Sequence, residues 1–190
     1  MSRYSRTAAL LHWAIAGLVL ANIMVGLRMT GLKGMAQFSQ YQLHKSLGIT
    51  IFVLTLVRIG WRITHRPPPI GNVLTAFERV ASRGVHTAFY IVLVALPLSG
   101  WMLVSASRYN IPTLLFGTVP WPHIAPIHAA AAASRVRMEA VAGTTHEVLA
   151  WSMIALAALH ISAALKHQFF DRDGTLARML PFSTFAGVQP

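Results

Sequence analysis

The sequence predicts an all-α integral membrane protein, a four-transmembrane-helix bundle with both termini cytoplasmic. Three observations carry this: 55% hydrophobic against 11% charged residues, four long apolar runs, and an uneven division of Lys and Arg between the connections.

A bilayer crossing needs roughly 20 apolar residues per helix, and the segments at about 7–27, 44–63, 85–105 and 145–167 meet that requirement. Arg3 and Arg6 before the first run imitate a signal peptide. The uncharged stretch Thr7 to Leu27 exceeds a signal core and no small-residue cleavage motif follows, so an uncleaved first span is expected. Arg58 and Arg62 interrupt the end of the second run, where long basic side chains can snorkel to the headgroups. Pro97 predicts a kink in the third.

Ten basic residues (Arg3, Arg6, Arg58, Arg62, Arg66, Arg79, Arg83, Lys166, Arg172 and Arg178) fall on one side and six (Arg28, Lys33, Lys45, Arg108, Arg135 and Arg137) on the other. The positive-inside rule therefore puts both termini in the cytoplasm. The connection 64–84 opens with Pro67, Pro68 and Pro69, and 173–190 reads as a loosely ordered tail. On the periplasmic side, 106–143 carries Pro112, Pro120, Pro122 and Pro126, then an Ala-rich stretch suited to a short surface helix. The expected organisation is one transmembrane domain, 1–181, with a C-terminal tail, 182–190.

The net charge of +11 does not point to nucleic acid, because the basic residues lie between apolar runs rather than along one face. The expected environment is the lipid bilayer. Without cysteine the chain can form no disulfide, no thiolate-held iron–sulfur cluster and no covalent haem attachment. A metal centre must rest on His, Met or carboxylate.

Nine histidines are present, and His12, His44, His86, His146 and His160 fall inside the spans, with His167 at a border. An ionisable side chain in hydrocarbon is costly and points to function. A single such histidine is as readily explained by a hydrogen bond to a neighbouring helix. The pattern decides between the two. His146 and His160 are 14 residues apart, close to four whole turns, so they share a face about 21 Å apart along the axis. His12 begins the first span level with His160, and His44 begins the second level with His146. Each end of the bundle thus offers two imidazoles from different helices.

Haem iron accepts two axial imidazoles, and helix bundles build cofactor sites from facing helices. A zinc site would need three or four converging ligands, and the spans hold no carboxylate except Glu147 at a border. The same lack of carboxylates counts against a His-lined metal-ion transporter. Gly17, Gly48, Ala155, Ala157, Ala158 and Ala164 leave room for a flat macrocycle, or equally serve close helix packing. His86 and His167 are surplus to four axial ligands and are candidates for a quinone site, as hydrogen-bond or proton partners. Arg58, Arg62, Arg79 and Arg83 lie on the same side and suit haem propionates or a quinone carbonyl.

The stretches YSRTAALLHWAIA, LHKSLGITIFVLTLVRIGWR, GVHTAFYIVLVALPLSG and THEVLAWSMIALAALHISAALKHQFFDRDGTLARMLP resemble the bacterial cytochrome b561 family over about 1–105 and 144–181. The resemblance implies two haems b, ligated by His12 with His160 and by His44 with His146, in a multi-pass protein of the bacterial inner membrane. That family includes the superoxide oxidase, which passes electrons from periplasmic superoxide to ubiquinone. The expected function is a di-haem b membrane oxidoreductase reducing ubiquinone, with superoxide:ubiquinone oxidoreductase as the specific activity. The alternative is an electron-transfer subunit relaying between the quinone pool and a periplasmic redox protein. Residues 28–43 and 106–143 depart most from the family pattern. Lys33, Lys45, Arg108, Arg135 and Arg137 outweigh Glu139 and Glu147 there, a field that attracts superoxide or an acidic protein.

Overall fold

The computed structural model describes residues 4–65, 75–172, 174 and 176–181. Four long helices are apolar enough to cross a membrane. They are α1 (Arg6–Met29), α2 (Gly34–Thr64), α3 (Ala76–Ala106) and α5 (Ala132–Lys166). A hairpin of β1 (Thr113–Leu115) and β2 (Val119–Trp121) and a short α4 (Ala125–His128) lie between α3 and α5. The Met29-to-Gly34 and Ala106-to-Ala132 connections share one end of the bundle, here the loop end. Both described termini lie at the other, the terminal end.

The helices overrun the expected spans because nothing breaks them at the bilayer boundary. Residues 35–43 contain no Gly or Pro, so α2 starts at Gly34, whose φ of 61° turns the chain after α1. His44 is therefore inside α2 rather than at its start. Thr75 and Glu78 form a reciprocal capping box, which starts α3 within the expected connection 64–84. The run Pro67 to Pro69 lies outside the described residues. The Ala-rich stretch is not a separate helix: Ala132 and Ala133 open α5, while α4 precedes it. Helix α3 stays continuous through Pro97. The expected loose tail is ordered in part, since a 3₁₀ turn at Ala177–Met179 docks on α1, with the Trp13 indole donating to the Met179 carbonyl at 2.9 Å.

Close backbone packing joins α1 to α2 and α3 to α5, with α2 against α3; α1 and α5 are not a closely packed pair. Two helix hairpins therefore stand side by side with a slot along α5. The described core is correspondingly thin, including Ala9, Ile15, Ile49, Ile51, Val92, Ala142 and Met153. Many large apolar side chains such as Leu20, Val57, Ile91 and Trp151 face outward, as lipid contact requires.

The loop end is capped by a folded segment that periodicity did not reveal. Phe116 and Gly117 both take positive φ within the three-residue reversal 116–118 that joins Leu115 to its partner Val119. The hairpin is fastened to α2: Gln42 donates to the Pro112 carbonyl and accepts from the Leu114 N–H, and the buried Ser46 hydroxyl accepts from the Phe116 N–H at 2.9 Å. Trp101 donates to the Pro122 carbonyl, and Ser105 accepts from the Ile124 N–H, fastening the rest to α3.

Candidate haem and quinone sites

Each end of the slot brings two imidazoles together with their planes nearly perpendicular. At the terminal end the His12 and His160 ring centroids are 6.2 Å apart, and at the loop end those of His44 and His146 are 6.0 Å apart. An imidazole nitrogen binds a first-row metal at about 2 Å, and the ring centre lies about 1 Å farther out. Two imidazoles on opposite faces of one iron therefore have centroids about 6 Å apart. Both separations meet that condition. Among the described residues no group of three or more His, Cys, Asp or Glu converges on one point, so the pairs do not suit a protein-only metal cage.

The surroundings orient the rings. The His146 Nδ1–H donates to the Leu96 carbonyl at 3.1 Å, with the Ser99 hydroxyl also 3.1 Å away. This leaves Nε2 with its lone pair for a ligand, the outer hydrogen bond typical of metal-binding histidines. His44 Nδ1 is buried without a hydrogen bond of standard geometry, with the Asn22 backbone as its electrostatic neighbour. Two glycines cradle these rings. A Cβ on Gly26 of α1 would lie 3.1 Å from His44 Cε1, and one on Gly100 of α3 would lie 3.0 Å from His146 Cε1. Side chains there would push the imidazoles out of line. The residues fit a haem held by two imidazoles.

The terminal-end slot opens into a cavity of about 130 Å³, lined by His12, His160, His86, Arg58, Phe89 and Tyr90 over apolar Ile15 and Met153. His86 comes within 5.5 Å of His160, centroid to centroid. Its Nδ1–H donates to the Ser82 carbonyl at 2.7 Å, leaving Nε2 able to take up a proton. Arg58 reaches the same cavity while donating to the Tyr90 hydroxyl and the Ala8 carbonyl, each at 3.3 Å. Arg62 lies 5.8 Å from the Tyr90 ring centre. Neither Arg79 nor Arg83 lines the cavity. No sequence signal linked Arg58 with Tyr90, since the contact is between helices.

His167 is placed differently from His86. It starts a π-helical turn, His167–Asp171, and is not among the cavity-lining residues. Its Nδ1 lies 2.9 Å from Asp171, and Lys166 bridges Asp171 at 2.7 Å and Glu78 at 3.3 Å. The seven residues from His160 to His167 are regular helix, so His167 lies about 10 Å farther along the axis, past the cavity-lining residues.

The profile of the prokaryotic cytochrome b561 family matches residues 3–182. Cytochrome b561 homolog 2 of Escherichia coli K12 is 34% identical over 180 residues, covering 94% of this chain and 91% of the relative. Cytochrome b562 of Cereibacter sphaeroides is 29% identical, covering 93% and 94%. The probable superoxide oxidase CybB of Yersinia pestis is 28% identical, covering 94% and 96%. With four membrane-crossing helices and this match over nearly its whole length, the chain belongs to the prokaryotic cytochrome b561 family, the b-type haem electron-transfer proteins of the bacterial inner membrane.

Proposed function

We propose that this protein is a di-haem b oxidoreductase that carries electrons from periplasmic superoxide to ubiquinone. The observation supporting this most strongly is the presence of two imidazole pairs at opposite ends of one helix, His44 with His146 and His12 with His160. Each haem, when bound, supplies a one-electron carrier. The four histidines would hold the two carriers, one toward each end of α5, and the glycine cradles fix the ring orientations at the loop end. The loop end faces the periplasm in this reading, because among the described residues eight Lys and Arg lie toward the terminal end and six toward the loop end.

Two superoxide ions give up one electron each and leave as two dioxygen molecules. One ubiquinone accepts both electrons and two protons to become ubiquinol. His86 is the quinone-side residue: with Nδ1 committed to Ser82, its Nε2 can carry a proton to a quinone oxygen in the cavity. His167 and Asp171, in the turn just past α5, are the outer partners that pass protons inward from the water toward His86. Arg58 offers a fixed positive charge to a quinone carbonyl or a propionate.

The relay alternative draws support from the hairpin tip, where Phe116 and Val119 are exposed as a surface for a redox protein. Stopped-flow mixing of oxidised protein with superoxide separates the readings. The superoxide reading expects haem reduction that slows steeply with salt, because exposed charge is screened within about 8–10 Å, and then reoxidation by ubiquinone. No reduction by superoxide would refute it in favour of the relay.

A further inference from the structure

The folded cap at the loop end gathers basic groups that the electron path does not use. His123, before α4, and His128, at its end, stack face to face with centroids 4.6 Å apart and planes 6° from parallel. Lys45 of α2 donates to the Pro112 carbonyl at 3.3 Å, using one of its three N–H donors. Arg135 of α5 donates through Nε to the Ala106 carbonyl at 3.2 Å and through a terminal nitrogen to the Ser107 carbonyl, leaving further donors. His128 Nδ1 lies 3.4 Å from the Ser105 carbonyl. These four residues come from separate elements, and all are half-buried.

Their carboxylate balance is one-sided. Among the described residues every ion pair lies at the terminal end, on Lys166 and His167. Lys45 and Arg135 are held by backbone carbonyls, which orient these donors without neutralising their charge, whereas the nearby Glu139 acts on Arg108. A cluster of oriented, uncompensated donors is the chemistry that captures an oxyanion.

We propose that Lys45, His123, His128 and Arg135 form a binding site for an oxyanion, a carboxylate or small inorganic anion, in the folded cap at the loop end, and that its affinity rises as pH falls. This does not depend on the identity of the electron donor. The groups facing His123 are His128 from α4, Lys45 from α2 and Arg135 from α5, all basic. Burial, then His128, Lys45 and Arg135 in turn, hold the His123 imidazole below its ordinary range. A bound anion offsets the repulsion and raises that midpoint, so binding takes up a proton. The sign follows: affinity is highest below the His123 midpoint of the free site and is lost as pH rises through its anion-bound midpoint. Each unit by which the anion raises it corresponds to about tenfold tighter binding on the acid side.

Two sources carry this chemistry, a free anion from the periplasm and the carboxylate of a haem propionate. The test uses haem-loaded protein in detergent, with ¹⁵N-labelled imidazoles followed by NMR through a pH titration, in sulfate and in chloride of equal ionic strength. A saturable sulfate-dependent rise of the His123 midpoint, lost in Lys45→Gln with an unchanged haem spectrum, supports a free-anion site. A response seen only after reconstitution with the dimethyl ester of haem supports a propionate occupant. No saturable shift in either preparation overturns the proposal, as does a shift that persists in both Lys45→Gln and His128→Gln.

Discussion

Replacing Gly100 by Ala tests whether the glycine cradle sets the ligand geometry at the loop end. The added methyl would sit 3.0 Å from His146 Cε1 and 3.2 Å from Nδ1, against a comfortable carbon separation of about 3.5–4.0 Å. The ring must retreat by about 0.5–1 Å. The hydrogen bond from Nδ1 to Leu96 is already 3.1 Å long, near the limit of about 3.2 Å, so that retreat breaks it. Overpacking costs about 1–3 kcal/mol, and the lost hydrogen bond in a buried place about 1–3 kcal/mol. The gain in helix propensity returns about 1 kcal/mol. The net is about 1–5 kcal/mol against the ligating position. Gly60→Ala is the control, since nothing lies within 4 Å of its added Cβ. Haem content and low-spin electron paramagnetic resonance are the assays. Gly100→Ala is expected to shift or remove one low-spin signal and spare the other, with Gly60→Ala unchanged. Two unaltered signals in Gly100→Ala, or equal losses in the control, would refute the reasoning.

His86→Gln is expected to leave both haem signals intact and slow ubiquinone-dependent reoxidation by about 10²–10⁴-fold, the usual contribution of a proton-transferring imidazole. A bleached haem would instead make His86 a ligand, and a parental rate would place the quinone elsewhere. Ser46→Ala removes the buried hydroxyl that joins the Phe116 N–H to the Gln42 carbonyl; it is expected to cost about 1–3 kcal/mol. Hydrogen exchange should then quicken over 112–118 and not at the Trp13–Met179 contact; uniform exchange would contradict a local role for the cap.

Much of the bundle was legible because membrane physics writes large signals. Four apolar runs had to be helices, and the 14-residue step from His146 to His160 had to put both on one face. Helix ends were less legible, since the hydropathy of 35–43 falls at the membrane boundary while its helix formers carry α2 on to Gly34. The cap escaped notice because its ties are non-local: Gln42 and Ser46 meet Leu114 and Phe116 about 70 residues away, and neither three-residue strand is long enough to show alternation. The spacing of His123 and His128 matches no helical face, so their stack was invisible without the fold of the loop. The seven-residue step to His167 was legible, but its contact with Asp171 was not, because that contact depends on the π-helical turn that begins at His167. The glycines at 26 and 100 carried no local signal, as their role lies in the imidazole of another helix.

The most direct test of the account is the haem-to-protein ratio of the detergent-purified chain, measured together with His146→Ala and His160→Ala. Four imidazoles in two pairs saturate two irons, so the parent is expected to carry about two low-spin b-type haems. Each variant should lose one, His146→Ala the partner of His44 and His160→Ala the partner of His12. A parent with a single haem, or variants that each lose both while the helical content stays intact, would contradict the two-pair architecture.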